Sequence, residues 1–135
     1  MRIGYIGLGA MGGALTTRLN GSHPLTVWDQ RPAAIEPLRQ HGATPASSAA
    51  ELARRCDVVL LCLPRTSDVR DAVFGAGGLA ETLAAGALLV DQTSGAPSET
   101  RAIAERLSAL PRGWEWRAVR GCWWRTWCAA CSRRA

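Results

Sequence analysis

Arg2-Ile3-Gly4-Tyr5-Ile6-Gly7-Leu8-Gly9-Ala10-Met11-Gly12 opens the chain as a short apolar β-type run that passes directly into a G-x-G-x-x-G turn. From Met11 the apolar spacing becomes helical, with Met11, Leu15 and Leu19 four apart and Asn20-Gly21 as the stop. Glycine-rich turns are common, but one set between a strand and a helix has a mechanism. Gly7 permits the tight turn, Gly9 lets the backbone approach a pyrophosphate, and Gly12 lets the helix pack closely on its sheet. The helix dipole and first-turn N–H groups then hold negative charge, which adds Leu8, Ala10 and Met11 to the candidate contacts.

Working outward, residues 25–29 form a second strand that ends on Asp29, 22 residues after Gly7. That is about the spacing at which an acid accepts hydrogen bonds from a ribose 2′-hydroxyl. Asp29, Gln30 and Arg31 are therefore candidate contacts for a dinucleotide. A carboxylate at this point suits NAD and repels the 2′-phosphate of NADP, whereas Arg31 could accommodate that phosphate. NAD is expected ahead of NADP.

The remaining pattern alternates. A helix is predicted over 32–40 with Ile35 and Leu38 inward, and Pro37 predicts a kinked or delayed start. Ser48 and Glu51 make a capping-box pattern ahead of a third helix. Residues 57–64 run apolar without alternation, as a strand buried on both faces does. Helices follow over 68–74 and 79–85, then a strand over 87–91. A last helix opens at Pro97 and puts Ile103, Leu107 and Leu110 on one face. Strand and helix alternate throughout, which predicts an α/β fold with a Rossmann-type, doubly wound parallel sheet.

Composition divides the chain. Its 135 residues suit one domain, and 47% hydrophobic with 20% charged residues is a globular balance. No stretch approaches the roughly 20 apolar residues that cross a bilayer, so no membrane partner is expected. The sequence contains no Lys. Residues 1–110 carry ten Arg against ten acids, whereas residues 111–135 carry six Arg against Glu115 alone, the whole net charge of +5. The last 25 residues also hold five of the six Trp and three of the five Cys. The expected organisation is a nucleotide-binding domain over 1–110 and an anomalous, unstructured or frameshifted tail over 111–135. Within that tail, Cys128 and Cys131 form a CxxC near Cys122, but a structural zinc needs a fourth ligand that is not evident. Arg interleaved with Trp could stack on single-stranded bases, yet no nucleic-acid-binding fold presents it, so neither metal nor nucleic acid is expected. Arg2 and residues 3–15 imitate a signal peptide, but five Gly are better explained by the strand–turn–helix, which leaves the cytoplasm as the expected location.

Four motifs carry a family resemblance: GLGAMG at 7–12, CLP at 62–64, VFGAGGL at 73–79 and VDQTSGAP at 90–97. Residues 1–110 resemble the nucleotide-binding domain of the β-hydroxyacid dehydrogenases, the group of 3-hydroxyisobutyrate dehydrogenase, tartronate semialdehyde reductase and 6-phosphogluconate dehydrogenase. The resemblance implies that Leu63 and Pro64 lie along the cofactor, with Asp68 nearby. It also implies that Thr93 and Ser94 match a Ser-Thr pair, in swapped order, at the nicotinamide end. On hydroxyl preference alone, Thr93 and Ser94 also read as caps of the helix at Pro97.

The departures are as informative. After this region the family continues with a DAPVSGG-type substrate stretch, a long helix bearing a catalytic Lys and an all-helical domain. None of these is in the sequence, and His23 and His41 fall in predicted turns rather than at strand ends. The resemblance therefore implies a truncated form that binds cofactor without turnover. A small hydroxyacid substrate and a homo-oligomer belong to intact relatives only. The Trp, Arg, Cys, Ala and Gly of the tail are what GC-rich DNA yields out of frame, and poor soluble expression is expected. Imine reductases share the glycine fingerprint and a TSG-type turn, and a stand-alone dinucleotide-binding protein is the alternative outside enzymes.

Overall fold

The structure, a computed structural model, describes residues 1–110 and 115–118. Its elements run β1 (Ile3–Ile6), α1 (Ala10–Asn20), β2 (Leu25–Trp28), α2 (Pro32–Gln40), β3 (Thr44–Pro45) and α3 (Ala49–Arg55). They continue β4 (Val58–Leu61), α4 (Thr66–Phe74), α5 (Leu79–Thr82), β5 (Leu88–Asp91), α6 (Pro97–Ser108) and β6 (Glu115–Ala118). All six strands are parallel, in the order β3-β2-β1-β4-β5-β6. This is the doubly wound, Rossmann-like arrangement, with β1 at the centre and the direction of winding reversed between β1 and β4.

Two apolar clusters lie on opposite sides of the sheet. On one side Ile3, Tyr5, Leu25 and Val27 pack with Leu38 of α2 and, more peripherally, Leu19 of α1. On the other, Ile6, Val59, Leu61, Leu89 and Trp116 pack with α3, α4, α5 and α6 through Leu52, Val69, Leu79 and Ile103. A strand over 57–64 buried on both faces is not what forms. Val59 and Leu61 are buried, whereas Val58 and Leu60 are only half-buried, with Leu60 at the margin of the cluster that holds Leu38.

The helix of the glycine turn also meets the sheet differently from its apolar spacing. Met11 and Leu15 are 67% and 37% exposed, and α1 buries Gly12 and Thr16 instead. Close approach selects small residues at the contact, and the Thr16 hydroxyl is satisfied by donating to the Gly12 carbonyl at 2.5 Å. α2 starts at Pro32 without delay and contains Pro37 in its interior. The helix over 79–85 shortens to the single turn of α5. β3 and β6 were not foreseen, and β6 lies past the compositional boundary at Leu110. The rest of the anomalous tail, with Cys122, Cys128 and Cys131, lies outside the described residues. Among the described residues no helix is long and apolar enough to cross a membrane.

The capping box at α3 forms with one shift. Ser48 Oγ accepts the Glu51 N–H at 3.1 Å, while the Glu51 carboxylate takes the N–H and hydroxyl of Ser47 at 2.6 and 2.7 Å. Those bonds and Arg55 hold the Glu51 carboxyl down to about 2, and Arg2 holds that of Asp57 at about 2. A carboxyl depressed in the folded state stabilises fully above its unfolded value, about 4, and loses that contribution as pH falls toward 2. Asp91 is raised by burial and works in the opposite direction. The test is therefore a difference: urea midpoints of wild type and Glu51→Gln at pH 6 and pH 3. Glu51→Gln should lose less on acidification than wild type, and equal losses would count against the Glu51 bonds.

Candidate functional site

The winding of the sheet reverses between β1 and β4, and ligands of open α/β sheets bind outside the carboxyl ends of the strands at such a point. Gly7, at φ +93°, ends β1 in a conformation that L side chains rarely adopt, and a Cβ there would meet the Cys62 carbonyl. A Cβ on Gly12 would overlap the Gly7 carbonyl, so the helix can sit this close only with glycine at that point. Gly9 is different. Among the described residues its Cβ would meet only the Arg31 guanidinium, 4.0 Å away, so none of them fills the space above it. Gly9 is also the N-cap of α1, with no side-chain cap, and the first turn contains no acid. The N–H groups at the start of α1 thus face an open cradle, which is the chemistry an anionic pyrophosphate requires.

Asp29 closes one side of the cradle. Its Oδ2 accepts the Leu8 N–H at 2.7 Å, and Oδ1 accepts the Arg31 N–H at 2.8 Å and Arg31 Nε at 3.2 Å. Burial pushes this carboxyl up, but the two amides and the guanidinium outweigh burial and hold it below its ordinary value. Asp29 is ionised, 9% exposed, and ties the glycine turn to the start of α2. A cleft of about 410 Å³ lies between the two, lined by Leu8, Gly9, Ala10, Arg31, Ala33 and Ala34. Gln30 and Met11 are exposed beside it.

On the other side of β1, two loops are stitched together. The Gln92 N–H donates to the Leu61 carbonyl at 2.8 Å, and the Leu63 N–H to Thr93 Oγ1 at 3.0 Å. Buried Asp91 accepts the Thr93 N–H at 2.8 Å. Thr93 is itself buried, whereas Ser94 and Pro64 are exposed and Leu63 is half-buried. Neither Thr93 nor Ser94 caps α6, whose N-cap is Ala96. The Thr93 hydroxyl is instead used to hold Leu63. Asp68 sits in the first turn of α4, facing Arg65 at 3.4 Å. His41 ends α2 with Nδ1 2.7 Å from the Pro37 carbonyl oxygen, and His23 is exposed after α1.

Sequence reasoning missed Thr66 and Gly95. Thr66 is buried at the start of α4, and its Oγ1 accepts the Ala96 N–H at 3.1 Å. A Cβ on Gly95 would overlap that same hydroxyl. The only signal available in the sequence was Gly95 itself, a glycine past the end of a strand.

A parallel sheet reversed at β1 and β4, an uncapped glycine-rich helix start and an acid at the end of β2 define a dinucleotide-binding domain. The family model of the NAD binding domain of 6-phosphogluconate dehydrogenase matches residues 2–114, and the chain belongs to that family. It is 35% identical over 99 residues to the 3-sulfolactaldehyde reductase of Escherichia coli, covering 73% of this chain and 33% of the relative. To the 3-hydroxyisobutyrate dehydrogenase of Pseudomonas aeruginosa it is 34% identical over 108 residues, covering 79% and 36%. An imine reductase from Myxococcus stipitatus in complex with NADP+ superposes with a TM-score of 0.73 at 28% identity, covering 86% of this chain and 39% of that one. The chain spans about a third of the length of the curated relatives it matches.

Proposed function

We propose that this chain binds NAD(H) in the crevice between β1 and β4 and, alone, does not turn over a substrate. The observation that carries the binding is the open cradle over Gly9, where uncapped amides face space that no side chain of the described residues occupies. The pyrophosphate would lie on the start of α1. The adenosine half would lie toward Asp29 and the cleft beside α2, and the nicotinamide half toward the stitched loops after β4 and β5. In its longer relatives the bound cofactor would exchange hydride with a small hydroxyacid or its semialdehyde. The resemblance assigns the proton transfer to a lysine, and this sequence has none.

The preference for NAD rests on Asp29. An ionised, largely buried carboxylate beside the ribose accepts hydroxyl protons and repels a 2′-phosphate. Titration with NADH and NADPH should show the tighter complex with NADH. Asp29→Asn keeps an acceptor for Leu8 but removes the charge, and should narrow the preference by about tenfold, roughly 1.4 kcal/mol. Tighter NADPH binding by the wild type would sink this assignment. It would favour a second reading, an imine-reductase-like cofactor domain, which the solved relative with NADP+ and the exposed Arg31 guanidinium support. Turnover of 3-hydroxyisobutyrate by the 135-residue chain would overturn the non-catalytic part of the proposal.

A further inference from the structure

We propose that Thr66 is a positioning residue for the nicotinamide half of the cofactor site, holding the loop after β5 against the loop after β4. The inference rests on the dinucleotide reading above and adds to it a residue that acts through the loop it holds.

The argument starts from how the loop over 92–96 is anchored. Its first half is fixed by four bonds: Gln92 N–H to the Leu61 carbonyl, the Tyr5 hydroxyl to Gln92 Oε1, Thr93 N–H to Asp91, and the Leu63 N–H to Thr93 Oγ1. Its second half is tied to the β4 side by one, the Ala96 N–H donating to Thr66 Oγ1. Ser94 and Gly95 lie between these anchors, and Ser94 is exposed at the edge of the crevice. Thr66 is 5% exposed, so its hydroxyl has a fixed place in the core rather than a free rotor at the surface. Gly95 comes so close that any side chain would displace that hydroxyl. The contact is thus made from both loops at once, by a hydrogen bond and by the absence of a Cβ.

Its position determines which part of the ligand it affects. Asp29, Arg31 and the glycine turn, which would hold the adenosine and pyrophosphate end, are bonded to one another at the ends of β1 and β2, whereas Thr66 and Gly95 meet at the ends of β4 and β5. Loosening the Thr66 anchor therefore frees the loops over β4 and β5 while leaving the other half of the site in place. A change that merely weakened the fold would act on both halves.

Ligand truncation separates the two. The full chain is titrated with NADH and with ADP-ribose, which lacks the nicotinamide. Thr66→Val, similar in shape but with no acceptor for Ala96, should weaken NADH by about fivefold or more and leave ADP-ribose within about twofold. Gly95→Ala should reproduce that selective loss from the other loop, and Thr66→Ser, which keeps the hydroxyl, should bind like the wild type. Equal loss for both ligands, no loss for either, or Thr66→Ser behaving like Thr66→Val would overturn the inference. Failure of the wild type to bind ADP-ribose would instead overturn the dinucleotide reading, and this inference with it.

Discussion

Gly12→Ala should sharply weaken NADH binding and destabilise the fold, while Gly13→Ala, one residue further on, should stabilise it. The two substitutions add the same methyl group to the same helix. At Gly12 that methyl would overlap the Gly7 carbonyl and come within 3.3 Å of Cys62 Cβ. Both are fixed by the central strands, so α1 has to move off the sheet. Moving it uncovers Thr16, which is fully buried. Overpacking against backbone of this kind costs about 3 kcal/mol. The same shift carries the first-turn amides away from the pyrophosphate, and a loss of about 100-fold in NADH affinity, roughly 2.7 kcal/mol, is expected. At Gly13 the methyl would lie 3.4 Å from the Leu8 carbonyl oxygen, an ordinary contact. There the substitution only removes glycine from a helix interior, which is worth about 0.5–1 kcal/mol in favour of the fold. Urea melts and NADH titrations of the two variants check both signs. A Gly12→Ala variant as stable as Gly13→Ala would mean that the helix does not pack as closely as the structure has it.

The contrast also shows why the glycine turn was legible in the sequence and the packing of its helix was not. G-x-G-x-x-G names positions where backbone meets backbone, and such positions admit one residue type. The apolar spacing of Met11, Leu15 and Leu19 names positions that could be buried. It carries no information on which side of a helix comes closest to the sheet. When contact is tight, small residues take it, so Gly12 and Thr16 are inside and Met11 is outside. Asp29 was legible because an acid at the end of a strand has few structural uses. What the sequence could not show is that its carboxylate holds both Leu8 and Arg31. Thr66 was invisible for a related reason: at the first position of a helix a threonine reads as local, and its partner is 30 residues away. β3, two residues long, is too short to show any period.

The second large effect concerns β5, where adjacent residues should respond in opposite ways to the same charge. Residues 57–64 lack alternation, which is the pattern of a strand covered on both faces. In the structure β4 and β5 alternate between buried and half-buried residues. Leu89 is fully buried in the cluster under α3 to α6, while Val58, Leu88 and Val90 belong to neither cluster. Register places Glu115 beside Leu88 and Arg117 beside Val90, so that side of the sheet ends in an exposed ion pair of 3.0 Å. The described residues cover the apolar side chains of that side only in part. Leu89→Lys would bury an unpaired ammonium in the main core, at a cost of about 4 kcal/mol or more, and an unfolded or insoluble chain is expected. Val90→Lys can lay its methylenes over the sheet and carry its charge to water. It should cost less than about 1 kcal/mol, and by breaking an apolar patch it should reduce self-association. Circular dichroism and sedimentation of the two variants decide the matter. If Val90→Lys unfolds as completely as Leu89→Lys, both faces of β5 are core, and the pattern of residues 57–64 describes this strand layer better than its half-buried side chains do.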